Sequence, residues 1–421
     1  MRRRPDTLSR RLAFLLAAIV ISTSQIASPQ AQRPRPADPI LILVSFDGWR
    51  WDYTDRLDVP NLRALAARGV RVTELVPSFP ALTFPNHYTI ATGLYPDHHG
   101  IIGNTMTDAR IGTRFTSSSD AVKDARWWKG EPVWVTALRP GRRAAAMFWP
   151  GTEAAIEGIR PTYWRPFDGT LASEARVAQV LEWLALPDDE RPSFVTLYQD
   201  IVDHAGHDFG PESREVADAA ATLDRTLGTL ISGIQRFGLD DRTTVVVVSD
   251  HGMTTASPDR LIWLDDFLDV KTVDVTEWDG ILELAPRNPT TVNEIYGRLR
   301  SAHPHLHVYT RDTIPKRWHY GQNARIPPIV GVPDDGWLVT TRERRRQRLE
   351  AGRAPIAGIH GFDPADPRMH GIFVAAGPRV TRGLVVPSLD NVNIYDFLCL
   401  VLGLTPAPND GDPATTRAFS R

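Results

Sequence analysis

Three runs of largely apolar and β-branched residues, Ile40–Phe46, Ser193–Tyr198 and Thr243–Val248, show no polar alternation. A strand with one wet face alternates; a strand that does not is buried on both faces, as in a parallel sheet. Segments of helical spacing lie between these runs. Pro60–Ala67 is closed by Gly69, and Ser213–Gln235 places Val216, Ala220, Leu223, Leu227, Leu230 and Ile234 on one stripe. Strand–helix alternation predicts an α/β fold, a mostly parallel sheet with helices on both faces.

Each run ends in chemistry. Ile40–Phe46 leads into Asp47-Gly48, and Thr243–Val248 leads through Ser249 into Asp250-His251-Gly252. Ser193–Tyr198 leads into Gln199-Asp200 and then Asp203, His204 and His207. Ligands of open parallel sheets bind in the crevice beyond the carboxyl ends of the strands. Singly, such an Asp starts a turn or caps a helix, and the histidines are ordinary loop residues. Together, three ends that deliver carboxylates and imidazoles to one edge point to a metal site. Oxygen and imidazole nitrogen without thiolate suit zinc, and manganese or iron less well. The single cysteine, Cys399, excludes a disulfide framework and a cysteine-based zinc cluster, and reads as a core residue. The 48 Lys+Arg stand against 50 Asp+Glu, so no excess of base calls for a stable nucleic-acid complex.

The amino terminus reads as separate from the fold. Arg2, Arg3, Arg4, Arg10 and Arg11 precede the apolar run Leu12–Ile21, and small and polar residues follow. That is the order of a secretory signal, here residues 1–31, which implies export to the periplasm or beyond. Spanning a bilayer takes roughly 20 apolar residues, so no permanent membrane anchor is expected. Elsewhere, the basic run Arg342–Arg348 reads as a solvated helix or loop face, with phosphate binding as the alternative. His303, His305 and His307 have the spacing of a local metal site but read as surface residues.

The segment Pro77–Tyr88 is unusual because prolines frame a threonine just before a helical stretch. A hydroxyl at a helix amino terminus sits where backbone N–H groups favour anions, which suits a nucleophile attacking phosphorus. On chemistry alone Ser78, Thr83 and Thr89 all qualify, and capping is the ordinary role of such residues.

These blocks, taken in order, resemble the nucleotide pyrophosphatase/phosphodiesterase family of the alkaline phosphatase superfamily. The resemblance runs through Ser45–Gly48, Leu82–Tyr88, Gly93–Pro96, Gly100–Asn104, Asp203–His207, Ser249–Gly252 and Gly358–Asp363, and ends in Asn391–Asp410. It departs at Leu82, where several animal members carry lysine, and at Phe362 and Pro364 beside His360. It implies an alkaline-phosphatase-like core over residues 38–253 and 356–412, with 254–355 inserted as a cap.

It also implies two zinc ions, one held by Asp203, His207 and His360, the other by Asp47, Asp250 and His251 with Thr83 beside it as nucleophile. Asn104 would contact a non-bridging phosphate oxygen. Phe84 and Phe167 would form the walls of a slot for the substrate, although core packing is as ready an account of Phe167. The implied activity is hydrolysis of a small-molecule phosphodiester, of nucleotides first, through a covalent phospho-threonine. A lipid or choline phosphodiesterase, a monoesterase of the superfamily and a non-catalytic binding protein are the alternatives.

Overall fold

The computed structural model describes residues 38–421, so the expected export signal lies outside the described residues. Eight strands form the central sheet in the order Leu384–Asp390, Val70–Val76, Gly371–Ala376, Thr243–Val248, Ile40–Phe46, Phe194–Gln199, Ala144–Met147, Tyr163–Trp164. Gly371–Ala376 runs antiparallel to both its neighbours, and the other pairings are parallel. The three strands expected from sequence sit together at the centre. Phe46 lies opposite Gln199 and Ser45 opposite Val248, so Asp47, Asp200 and Asp250 emerge side by side.

Alternate residues of these strands serve two separate cores. Leu41, Leu43, Val246 and Val248 face one core, shared with the helices Thr83–Thr92, Val133–Leu138 and Ile394–Leu402. Ile40, Ile42, Val44, Val245 and Val247 face the other, covered by Pro60–Ala67, Ser173–Leu184 and Arg214–Arg236. Burying each such side chain contributes about 1.5–3 kcal/mol, which explains why no charge appears until the strands end. The longest of these helices starts where expected, with Ser213 accepting from the Val216 N–H as its cap. Cys399 is fully buried.

Residues 254–355 contain a four-stranded antiparallel sheet, ordered Val273–Glu277, Leu282–Pro286, Ile329–Pro333, Leu306–Thr310, with its own apolar cluster. A short helix follows the strand Leu282–Pro286. Asn288 caps a 3-10 turn at Pro289–Thr291, and the α-helix then spans Val292–Leu299. Pro304 disfavours helical geometry at His303 and limits further extension. This segment grips the core loop around residues 97–105. Asp97 accepts from the Gly321 and Asn323 N–H groups, Arg325 donates to Gly100 O, and Tyr320 Oη donates to Ile102 O.

Candidate active site

Asp47 and Asp250 follow two adjacent strands and are buried. Gly48 makes their approach to Asp203 possible. Its φ is +68°, and a Cβ there would lie 2.8 Å from Asp203 Cα. Asp203 and His207 do not continue a strand; they sit one turn apart on the helix Ile201–Phe209. That helical phase presents both to the crevice, while His204 is exposed. His360 follows the short strand Gly358–Ile359, which pairs with Thr254–Thr255.

Asp203 Oδ1, His207 Nε2 and His360 Nε2 are separated by 3.5, 3.2 and 3.7 Å. Ligands each about 2.0–2.1 Å from a tetrahedral ion stand about 3.4 Å apart, so this triangle has the size that zinc requires. His251 Nε2 lies 2.9 Å from Asp250 Oδ2 and 3.6 Å from Asp47 Oδ1, the second set. His251 also stacks on His360 at 3.6 Å and groups with Asp203 and His360, so the two sets adjoin.

The second atoms of the imidazoles are committed. His207 Nδ1 donates to Gly358 O at 2.8 Å, His360 Nδ1 to Ala81 O at 2.8 Å and His251 Nδ1 to Gly252 O at 3.0 Å. Each bond leaves Nε2 facing the crevice with its lone pair, the arrangement that orients metal-ligating histidines. The carboxylates make the complementary case. Asp47 Oδ1, Asp203 Oδ1 and Asp250 Oδ2 are buried without a hydrogen-bond partner. Burial, then the charges of Asp250 and Asp203, raise the Asp47 pKa well above the carboxylate range. Burial also works to raise Asp250, but His251 and His87 outweigh it and hold that group low. Burial and the neighbouring His251 and His207 keep the His360 pKa well below its ordinary value, favouring the neutral ligand form. Orphaned carboxylate oxygens beside the neutral imidazole of His360 fit bound cations.

Of the three candidate hydroxyls, only Thr83 meets this centre. Ser78 Oγ donates to Asn391 and Thr89 Oγ1 bonds His99, both buried elsewhere. Thr83 is the first residue of the helix Thr83–Thr92, with Oγ1 3.3 Å from His251 Nε2. Its carbonyl accepts from His87 Nδ1 at 2.9 Å, and the other nitrogen of that ring meets Ser45 Oγ at 2.7 Å, so His87 locks the helix onto the central strand. Leu82 at the cap position offers no side-chain acceptor. Asn104 supplies one from another segment: its Oδ1 accepts from the Phe84 N–H at 3.0 Å. The amide NH2 is thereby turned away from the helix and free to donate.

Thr83, Phe84, Asn104, Phe167, Asp47 and Asp203 line one cavity of about 410 Å³. Phe84 packs on Phe115 and Trp128, whereas Phe167 is 51% exposed, so core packing does not account for Phe167. Arg176 beneath Phe148 and Phe167 is neutralised by Asp200 at 3.1 Å, which gives that strand-end aspartate a structural task. The histidines at 305 and 307 both bond Asp334 and remain partly exposed, in keeping with a surface role.

Two contributors escaped the sequence reading. Tyr198 Oη donates to Asp47 Oδ2 at 2.5 Å, aligning the carboxylate, and nothing local marks a strand tyrosine for this. Glu277, on the inserted sheet, accepts from the Thr105 N–H at 2.7 Å, next to Asn104. Burial pushes its pKa up to about 7, against the Thr105 and Asn104 N–H groups that lower it. Glu277→Leu would strand buried N–H groups; we expect a stability loss of about 1–3 kcal/mol. A fall in kcat of roughly tenfold is expected with it, from a displaced Asn104. Glu277→Gln should recover most of both, because an amide oxygen accepts the same bonds. Equal losses in the two variants, by denaturant titration and kinetics, would contradict this positioning role.

Comparison with known proteins agrees with this geometry. Residues 41–363 match the model of the family described as type I phosphodiesterase / nucleotide pyrophosphatase. Human bis(5′-adenosyl)-triphosphatase ENPP4 is 35% identical over 409 residues, covering 96% of this chain and 87% of that protein. Human ectonucleotide pyrophosphatase/phosphodiesterase family member 5 is 33% identical over 401 residues, with 95% and 80% covered. The structure of inactive murine family member 5 in complex with AMP, carrying a threonine-to-alanine substitution, superposes with a TM-score of 0.85 at 33% identity. It covers 91% of this chain and 100% of that one. The chain therefore belongs to the type I phosphodiesterase / nucleotide pyrophosphatase family of the alkaline phosphatase superfamily, and is a phosphodiester hydrolase.

Proposed function

We propose that the chain hydrolyses phosphodiester and phosphoanhydride bonds of nucleotides, releasing nucleoside 5′-monophosphates, through a covalent phospho-threonine at Thr83. The observation that carries this reading is the convergence of the Thr83 hydroxyl, the Asn104 amide and two carboxylate–imidazole sets on the cavity between Phe84 and Phe167. Asp203, His207 and His360 would hold one Zn²⁺; Asp47, Asp250 and His251 would hold the other. Such a pair supplies the positive charge that favours a Thr83 alkoxide and an in-line displacement.

The remaining steps belong to the chain's own groups. Phe84 and Phe167 present flat apolar walls to a base, in line with the AMP complex of the murine relative. Thr83 Oγ1 forms a bond to phosphorus as the bond to the leaving oxygen breaks, giving a nucleotidylated Thr83 and the leaving alcohol or phosphate. Water then attacks phosphorus, the Thr83 Oγ1–P bond breaks, and Thr83 regains its proton. Asn104 donates to the equatorial oxygen as charge builds there. Its amide carries no full charge, which suits a singly charged diester better than a dianionic monoester. Residues 254–355 act as a cap on the core 38–253 and 356–412, and residues 1–31 direct export, so the substrate is met outside the cytoplasm.

The purified enzyme is expected to prefer bis(p-nitrophenyl) phosphate to p-nitrophenyl phosphate in kcat/KM by about tenfold or more, the scale of one unmet charge-assisted contact. A preference for the monoester would overturn the diesterase reading.

A further inference from the structure

We propose that a second cavity, lined by Arg344, Arg345, Arg348 and Arg353, binds the phosphate chain of the leaving group. This inference rests on the nucleotide reading above and specifies where the far side of the substrate goes.

The cavity measures about 320 Å³ and lies along the helix Arg342–Glu350 and the loop that follows it. The arginines of that helix divide into two kinds. Arg342 pairs with Asp265 and Asp266, and Arg346 with Glu343 and Glu350, so these charges are met. Of the arginines that line the cavity, Arg345, Arg348 and Arg353 are not met in this way. Arg345 donates to Pro258 O and Arg348 to Ala354 O, backbone carbonyls that place the guanidinium without neutralising it. Among the described residues, Arg345, Arg348 and Arg353 have no carboxylate within 4.0 Å, and Asp279, 3.4 Å from Arg344, is the one acid of the lining. A solvated helix face carries mixed charge or points into water; three guanidinium groups without a carboxylate partner around one concavity instead present an anion site. Guanidinium groups match phosphate oxygens with paired N–H donors.

Its position gives the anion an identity. Two walls of the cavity abut the Asp203/His207/His360 set. Ile356 is followed by Ala357, whose N–H donates to His207 O, and by Gly358, whose carbonyl accepts from His207 Nδ1. Asp279 is followed by Gly280, packed so closely on His360 that a Cβ would lie 2.1 Å from its carbonyl oxygen. Thr83 lies against the other set, at His251. In-line displacement puts the leaving oxygen opposite the nucleophile, hence on the side of His207 and His360. A leaving pyrophosphate or nucleoside polyphosphate would extend from there toward the arginines. Leu82, beside the nucleophile, brings no charge to this task.

The test uses the metal-loaded enzyme and the double variant Arg348→Ala/Arg353→Ala, one half-buried and one exposed side chain, both outside the reacting centre. Calorimetric affinity for α,β-methylene-ATP is expected to fall roughly tenfold, and that for AMP, which lacks the leaving phosphates, to change less than twofold. kcat/KM for ATP should fall through KM while that for bis(p-nitrophenyl) phosphate holds, and Arg348→Lys/Arg353→Lys should keep most of the affinity. An unchanged affinity for the analogue, or an equal loss for AMP, would overturn the assignment. Should the alanine variant not fold, salt decides: affinity of the parent enzyme for the analogue must weaken with ionic strength more steeply than that for AMP. Inactivity toward both ATP and bis(p-nitrophenyl) phosphate would sink the proposed function, while the binding arm still judges the cavity.

Discussion

Thr83→Ala is expected to lower kcat on bis(p-nitrophenyl) phosphate on the order of 10⁴-fold or more, the loss typical of deleting a covalent nucleophile. The expectation follows from the placement of the hydroxyl, 3.3 Å from His251 Nε2 at the start of the helix and on the wall of the substrate cavity. Folding should survive. The backbone contacts that seat this helix, His87 to the Thr83 carbonyl and Asn104 to the Phe84 N–H, do not use the deleted group. Metal content and thermal midpoint should therefore stay near the parent values while turnover vanishes. Parent enzyme acid-quenched during turnover of ATP should carry the nucleotidyl group on Thr83, seen by peptide mass, and the variant should not. Turnover of the variant within tenfold of the parent would exclude Thr83 as nucleophile.

Removal of metal should be as severe. Chelation followed by dialysis is expected to abolish activity, and two equivalents of zinc should restore it. It should also destabilise the fold. Asp47, Asp203 and Asp250 bring three buried carboxylates together, each with an orphaned oxygen, and these repel one another when no cation lies among them. A site saturated at 100 times its dissociation constant loses about 2.7 kcal/mol of apparent stability when emptied. Two such sites would lower the unfolding midpoint by more than any single surface substitution. Elemental analysis completes the experiment. One metal per chain in fully active enzyme, or activity indifferent to chelation, would refute the two-ion scheme.

The central sheet was legible because its strands are buried on both faces. Continuous apolar runs located Ile40–Phe46 and Thr243–Val248 to the residue, and Phe194–Gln199 within one residue at each end. Short edge strands such as Tyr163–Trp164 carry no such pattern, because few of their neighbours exclude water. Acidic residues at strand ends were visible as a set, but their division of labour was not. Asp200 neutralises Arg176, whereas Asp203 reaches the centre only through the phase of the helix that follows. His360 stands far from the other candidate ligands in sequence, and only the family resemblance singled it out among twelve histidines. Glu277 and Tyr198 act through contacts spanning 172 and 151 residues, for which local pattern offers no signal.

The bond from the Phe84 N–H to Asn104 Oδ1 has a consequence for timing as well as for placement. That amide is tethered to the residue after Thr83, on a helix that His87 fixes to the central strand. Movement of the inserted segment would leave Thr83 seated on the sheet, and the Phe84 bond would resist any change in its distance from Asn104. Under the proposed mechanism, the point of attack need not be reassembled between turnovers.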